Sequence, residues 1–197
     1  MEALKSCIKF LKKDDFVNFK INVKKLENIN ITDSLKQNIT WYSLLYGKID
    51  YLEYCISLGG IFQKNIHEQT ILISAAEYNF DKIVDLCLSF EFNPDEYDLY
   101  GYTALHYAIY NRNYKSIKLL LDHNCRLDIK NSDGHNAIEF FVISYKSQFA
   151  DNHNDINIIK ILKKYHKTID YDRLKLLGEQ YNTQDLVHLF LWTSFST

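Results

Sequence analysis

The apolar positions of this chain recur with two periods at once. Within short stretches they follow helical spacing: Leu105, Ala108 and Ile109 share one face, and Ile117, Leu120 and Leu121 another. Over longer distances the pattern returns every 33 residues. Thr70, Thr103 and Asn136 keep that interval, as do Leu72, Leu105 and Ile138, and Gly101 and Gly134. Val84 and Ile117 match in the second helix of each pair, followed by Leu86 and Leu119. A helix pair this short cannot bury its own apolar face. A fixed interval of this length therefore predicts a stacked array whose neighbours share their apolar sides.

The stretch from Asp98 to Asp128 predicts the parts of one unit. Gly101 supplies the backbone freedom of a tight turn. Thr103 is placed to cap the first helix with its hydroxyl. Asn111-Arg112-Asn113 interrupts the apolar pattern with turn-favouring residues, and Asn124 stands where the second helix should end in a left-handed residue.

Asp98, Gly101, Thr103, Leu105, His106 and Ala108 fit the pattern D-x-x-G-x-T-P-L-H-x-A, with Ala104 in the place of Pro. The stretch resembles an ankyrin repeat, most closely over 98–134 and more loosely over 38–170. The resemblance implies an all-α ankyrin-repeat solenoid of about five to six helix-turn-helix units joined by short hairpin-like turns. The whole chain, 1–197, is then one domain. Its expected units are a capping unit at 1–31, repeats at 32–64, 65–97 and 98–130, a repeat with an insertion at 131–170, and a closing unit at 171–197.

The outer segments depart from the pattern. In the first, Leu4, Cys7, Ile8 and Leu11 line a helical stripe, Lys13-Asp14-Asp15 marks a break, and Phe16, Phe19 and Val23 suggest a second helix. Its lysines suit the polar outer face of a terminal repeat, or a basic patch for an acidic partner. In the first recognisable repeat, Trp41 stands where the family has His, Gly47 fills the inter-helix turn and Gly59 the helix end. In the next, Ile73 takes the His position. The fourth keeps register through Ile138, then swells near 145–155, so that its second helix is expected over 156–165. Two short patterns follow, over 174–180 and 186–192, with Thr183 as N-cap of the second.

Apolar residues make up 47% of the chain, enough for a continuous core, and the formal charge is −2. That balance gives no electrostatic reason to expect nucleic acid or a membrane as partner. No apolar run approaches the length that spans a bilayer, and the start lacks a signal-peptide core. Cys7, Cys55, Cys87 and Cys125 are scattered, which suits small core residues of an intracellular, cytoplasmic chain. Twenty Lys against three Arg, with abundant Asn, Ile and Tyr, is the bias of an AT-rich genome and hints at a virus, protist or intracellular bacterium. For a virus or intracellular bacterium the compartment would be the host cytoplasm.

Catalytic chemistry finds little support. No phosphate-binding glycine loop, nucleophile elbow or H-E-x-x-H occurs. The resemblance makes His106 structural, and His135, His153, Asp133 and Asp151 lack the regular spacing of a metal set. The expectation is a chain that is not an enzyme, with no cofactor and no metal. Chemistry in the insertion or the C-terminal segment is the alternative, and self-assembly a further one. The resemblance instead implies a protein partner, gripped by a monomer through its concave face. Carried over position by position, that face comprises Leu99, Tyr100, Tyr102, Tyr110, Asn111 and His123 in the 98–130 repeat. The 65–97 repeat adds Ile66, His67, Gln69, Glu77, Tyr78 and Phe90, and the 131–170 repeat Ser132, Asp133 and His135. The cluster at Leu99, Tyr100, Tyr102 and Tyr110 is the most aromatic part. Tyrosine combines large contact area with a polar tip, which suits an interface. A host-directed interaction protein is the more specific expectation.

Overall fold

The computed structural model describes residues 2–61, 63–145, 152–165 and 169–192, and every regular element among them is helical. The helices run α1 (Glu2–Lys12), α2 (Phe16–Val23), α3 (Ile39–Leu45), α4 (Ile49–Ser57), α5 (Ile71–Glu77), α6 (Asp81–Ser89), α7 (Ala104–Tyr110), α8 (Tyr114–Asp122), α9 (Ala137–Ile143), α10 (Asn152–Tyr165), α11 (Tyr171–Tyr181) and α12 (Gln184–Trp192). α1 pairs with α2, α3 with α4, α5 with α6, α7 with α8 and α11 with α12, and α1, α3, α5, α7, α9 and α11 stack in chain order as an inner layer. α6, α8 and α10 pack in order behind them. The expected all-α solenoid is the observed architecture.

Each unit contains backbone turns that only a left-handed residue closes. Between paired helices these are Asp14, Gly47, Asn79, Arg112 and Asn182; after the outer helices they are Gly59, Glu91 and Asn124. At the tips of the hairpin-like turns they are Lys36, Glu68, Gly101 and Gly134. Gly101 also needs its missing side chain: a Cβ there would approach the Asn131 backbone to 3.0 Å. Lys36 and Glu68 hold the same conformation against the steric cost of a side chain.

Every inner helix from α3 to α9 starts at a polar N-cap: Asn38, Thr70, Thr103 or Asn136 accepts a hydrogen bond from the amide three residues on. The residue at that third position differs in each repeat. His106 and Glu139 return a bond to the cap amide and complete capping boxes. Trp41 instead sends its indole Nε1 to the Gln63 carbonyl at 2.6 Å, so it keeps a polar tie by other means. Ile73 is simply buried. Asn38 is fully buried in its capping role, which removes the formal sequon Asn38-Ile39-Thr40 from the surface.

The core lies between the layers. Trp41, Leu44, Leu72, Leu105, Leu120, Phe141 and Phe190 belong to one apolar cluster extending from α3 to α12. Leu4, Cys7, Leu11, Phe19, Ile39, Tyr51 and Cys55 form a second, at the α1–α2 end. α3 and α4 are the dividing wall, sending Trp41 and Leu52 to one cluster and Ile39 and Cys55 to the other.

The C-terminal part differs in detail from the sequence expectation. α10 begins at Asn152, four residues before Ile156, and Asp155 in its first turn is buried against Arg112 at 3.8 Å. That buried ion pair anchors the early turn of the helix. Of the insertion expected near 145–155, residues 146–151 lie outside the described residues. Thr183 does precede α12, but its hydroxyl is buried with no hydrogen-bond partner, so it does not cap through its side chain. Val187, packed over Gly178, helps join α12 to α11 instead.

Candidate functional site

The hairpin tips are built by one repeated device. Asp33, Asn65, Asp98 and Asn131 each accept two amide bonds with Oδ1, from the residues two and four positions on. This closes the turn and turns the two intervening side chains outward. Two of the four are carboxylates, and those two have a tyrosine nine residues on. Tyr42 donates to Asp33 Oδ2 at 2.6 Å and Tyr107 to Asp98 Oδ2 at 2.8 Å. The Asn turns have Ser74 and Phe140 in that place. A charge needs a donor on its second oxygen and an amide does not, so the pairing follows from the side-chain chemistry. Burial and then the carboxylate push the Tyr107 phenol up, and push Tyr42 up to about 12, so both remain donors at neutral pH.

Successive tips are stitched by backbone bonds, from Leu99 N to His67 O at 3.1 Å and from Ser132 N to Tyr100 O at 2.9 Å. On this frame the apolar side chains at the tips are left uncovered. Leu99 is 63% exposed, Tyr100 54% and, at the end of α7, Tyr110 55%. Ile66, His67, Tyr78, Phe90, His123, Ser132 and Asp133 are exposed as well. Tyr102 is half-buried: it packs edge-on to Phe140 at 5.2 Å and its hydroxyl lies 3.5 Å from Asp133 Oδ2. Tyr110 stacks on the same Phe140 ring at 6.4 Å. Phe140 thus joins a tip residue and an inner-helix residue into one wall. The sequence pattern did not single it out, because its position carries Ser74 or Tyr107 in other repeats.

Two expected contact residues are not accessible. Gln69 is 8% exposed, its amide taken up by Asn65, Ser74 and Glu77. His135 is 7% exposed beneath Tyr181 and beside Glu139. Both follow the left-handed tip residue, where the chain turns back toward the helix start, and neighbouring elements cover them. Asn111 and Glu77 are half-buried; the Asn111 side chain donates to the Ala76 and Glu77 carbonyls and ties α7 to α5.

His106 is enclosed, and burial pushes its pKa down to about 4, partly opposed by the His135 backbone and Asp98. The ring is therefore neutral at pH 7, with Nδ1 accepting from the Thr103 amide at 3.2 Å. Burial likewise pushes Cys7 up to about 11 and Cys55, Cys87 and Cys125 to about 12, which leaves no reactive thiolate among them. Among the described residues no group of three His, Cys, Asp or Glu side chains could hold a metal ion. The side chain of His153 and residue Asp151, named above as possible chemistry, lie outside the described residues. Among the described residues no helix is long and apolar enough to cross a membrane.

An inner and an outer helical layer, stitched polar tips and an uncovered aromatic wall define a helical repeat protein. Residues 43–133 match the family model for ankyrin repeats, in three copies. Over 111 residues the chain is 32% identical to an ankyrin repeat protein of fowlpox virus (strain NVSL), a match that covers 56% of this chain and 26% of that protein. The matched region spans about a quarter of that relative's length. Together these findings show ankyrin repeats over the middle of the chain, and such repeats are generally protein–protein interaction modules. α1 and α2 at one end, and α9 to α12 at the other, lie outside the matched repeats and continue the stack.

Proposed function

We propose that this chain is a non-catalytic protein-binding module whose partner lies along the concave side formed by the hairpin tips and the inner helices. One observation carries the reading: Leu99, Tyr100 and Tyr110 are large, apolar and uncovered, yet the first two rest on a turn held by a dense hydrogen-bond frame and the third on the end of α7. A rigid frame presenting aromatic side chains loses little entropy on binding. The contact set is Leu99, Tyr100, Tyr102, Tyr110 and His123, with Ile66, His67, Glu77, Tyr78, Phe90, Ser132 and Asp133 around it. Gln69 and His135 are excluded by burial, and Asn111 serves mainly as a tie between repeats. The division into units at 1–31, 32–64, 65–97, 98–130, 131–170 and 171–197 belongs to the same reading, as does a monomer acting in the cytoplasm. The likeness to a viral ankyrin repeat protein supports a host-directed partner.

The test is affinity capture from eukaryotic cell lysate with the wild-type chain and with L99S/Y100S/Y110S. Tyr102 is left intact because its packing on Phe140 ties it to stability. The variant should melt within a few degrees of wild type and lose the captured partner, since one aromatic anchor alone is worth about 2 kcal/mol or more. Equal capture by both proteins would remove this face from the reading.

A further inference from the structure

Lys5, Lys9 and Lys12 stand at i, i+4 and i+7 on α1, so their ammonium groups form one exposed stripe. Together with Ile8 and Lys13 they line an open groove of about 400 Å³. Glu2 stands one turn before Lys5, at the N-terminal edge of the stripe, and the acidic residues beyond its C-terminal edge are engaged. Asp14 pairs with Lys48 at 2.8 Å, and Asp15 caps α2 by accepting from the Asn18 amide at 3.0 Å and its side chain at 2.7 Å. Lys5, Lys9 and Lys12 form no ion pair among the described residues. From Lys5 to Lys12 the exposed charges of α1 are all positive.

The stripe also runs into the aromatic wall. Lys12 Nζ lies 5.8 Å from the centre of the Tyr46 ring. Tyr46 terminates α3, and Tyr78 holds the same place at the end of α5; both are exposed. Along the inner layer the surface therefore changes from cationic at α1 to aromatic at α3 and α5.

The geometry points to a partner of matching polarity: a protein segment whose clustered Asp or Glu residues lie against Lys5, Lys9 and Lys12. Its aliphatic or aromatic side chains, one helix spacing away (about 8–10 Å), contact Tyr46 and then Tyr78. A short acidic segment suits the site better than nucleic acid, because the chain as a whole is negative and repels a long polyanion beyond the stripe. This inference rests on the proposed use of the inner-helix side for binding and adds the chemistry of its N-terminal end.

The experiment is selection of a random dodecapeptide library on the intact chain, with the enriched peptides then titrated against variants. Enriched peptides should combine acidic residues with Leu, Phe or Tyr and bind more weakly as salt rises. K5E/K9E/K12E should weaken them at least about tenfold, and Y46S/Y78S should weaken them as well. All five positions are exposed, and unchanged melting curves check that the fold is intact. Neutral or basic peptides, or acidic peptides indifferent to K5E/K9E/K12E, overturn the inference and leave the wider concave reading standing if L99S/Y100S/Y110S still abolishes capture. Peptide binding that needs the lysines, beside capture indifferent to L99S/Y100S/Y110S, supports the inference and removes the contact set proposed above. Failure of any peptide to enrich, with phosphatidylserine vesicles bound through the same lysines, assigns the stripe to membrane and overturns it.

Discussion

Acid should destabilise this protein through one buried ring. His106 is held neutral in the fold at a pKa of about 4, chiefly by burial, while the unfolded chain titrates near 6.5. Protonation would also set a donor at Nδ1 against the Thr103 amide that now donates to it. Between those two values the unfolded state binds more protons, so stability rises with pH across that window. The contribution is fully present above pH 6.5 and is lost as pH falls through the window toward 4. At pH 4 the loss is about 3 kcal/mol, as 1.36 kcal/mol per tenfold change in proton affinity gives for this gap. The control is H106Q, because Gln at the third helical position can still complete a capping box yet carries no titrating group. Urea unfolding of both proteins at pH 7.5, 6, 5 and 4 isolates the effect, since the carboxylates titrate alike in each. The stability of wild type relative to H106Q should fall by about 3 kcal/mol from pH 7.5 to pH 4. A difference constant to within about 1 kcal/mol would refute the account of His106 as a sealed, neutral ring.

Other positions test the frame beneath the binding face. E68G should stabilise the chain by about 1 kcal/mol in thermal melts, because Glu68 holds a φ of +58° and its pairing with Lys36 is exposed; a loss of stability would show that the turn relies on the Glu68 side chain. N136A removes a cap that serves the Ile138 and Glu139 amides, and should cost about 1 kcal/mol in urea unfolding. L120A empties a fully buried position in the shared core and should cost about 2–5 kcal/mol; a cost under about 1 kcal/mol would contradict the stacked packing. The four buried cysteines should resist an aromatic disulfide reagent at pH 8 in the native chain and react in denaturant. Rapid native labelling of Cys55 or Cys87 would place them at the surface instead.

The repeat was legible in the sequence because each turn and helix start is a local decision. Gly101, Thr103, Asn124 and the 33-residue recurrence of Leu72 and Leu105 each state a backbone requirement that the chain meets within a few residues. The paired stripes of apolar residues then left stacking as the way to cover them. Residues whose partners lie in another repeat were harder to read. Gln69, which also reaches the Tyr107 hydroxyl of the next repeat at 3.5 Å, and His135, beneath Tyr181, occupy outward positions in the family pattern, and only the packing of neighbouring side chains shows that they are covered. The early start of α10 depends on Arg112, 43 residues away from Asp155, and the wall at Tyr110 depends on Phe140 in the next unit. A local pattern fixes which way a residue faces, because that is set by the backbone on either side of it. Whether anything stands in front of it is set by the next layer, and in a stacked array the next layer lies 33 residues away.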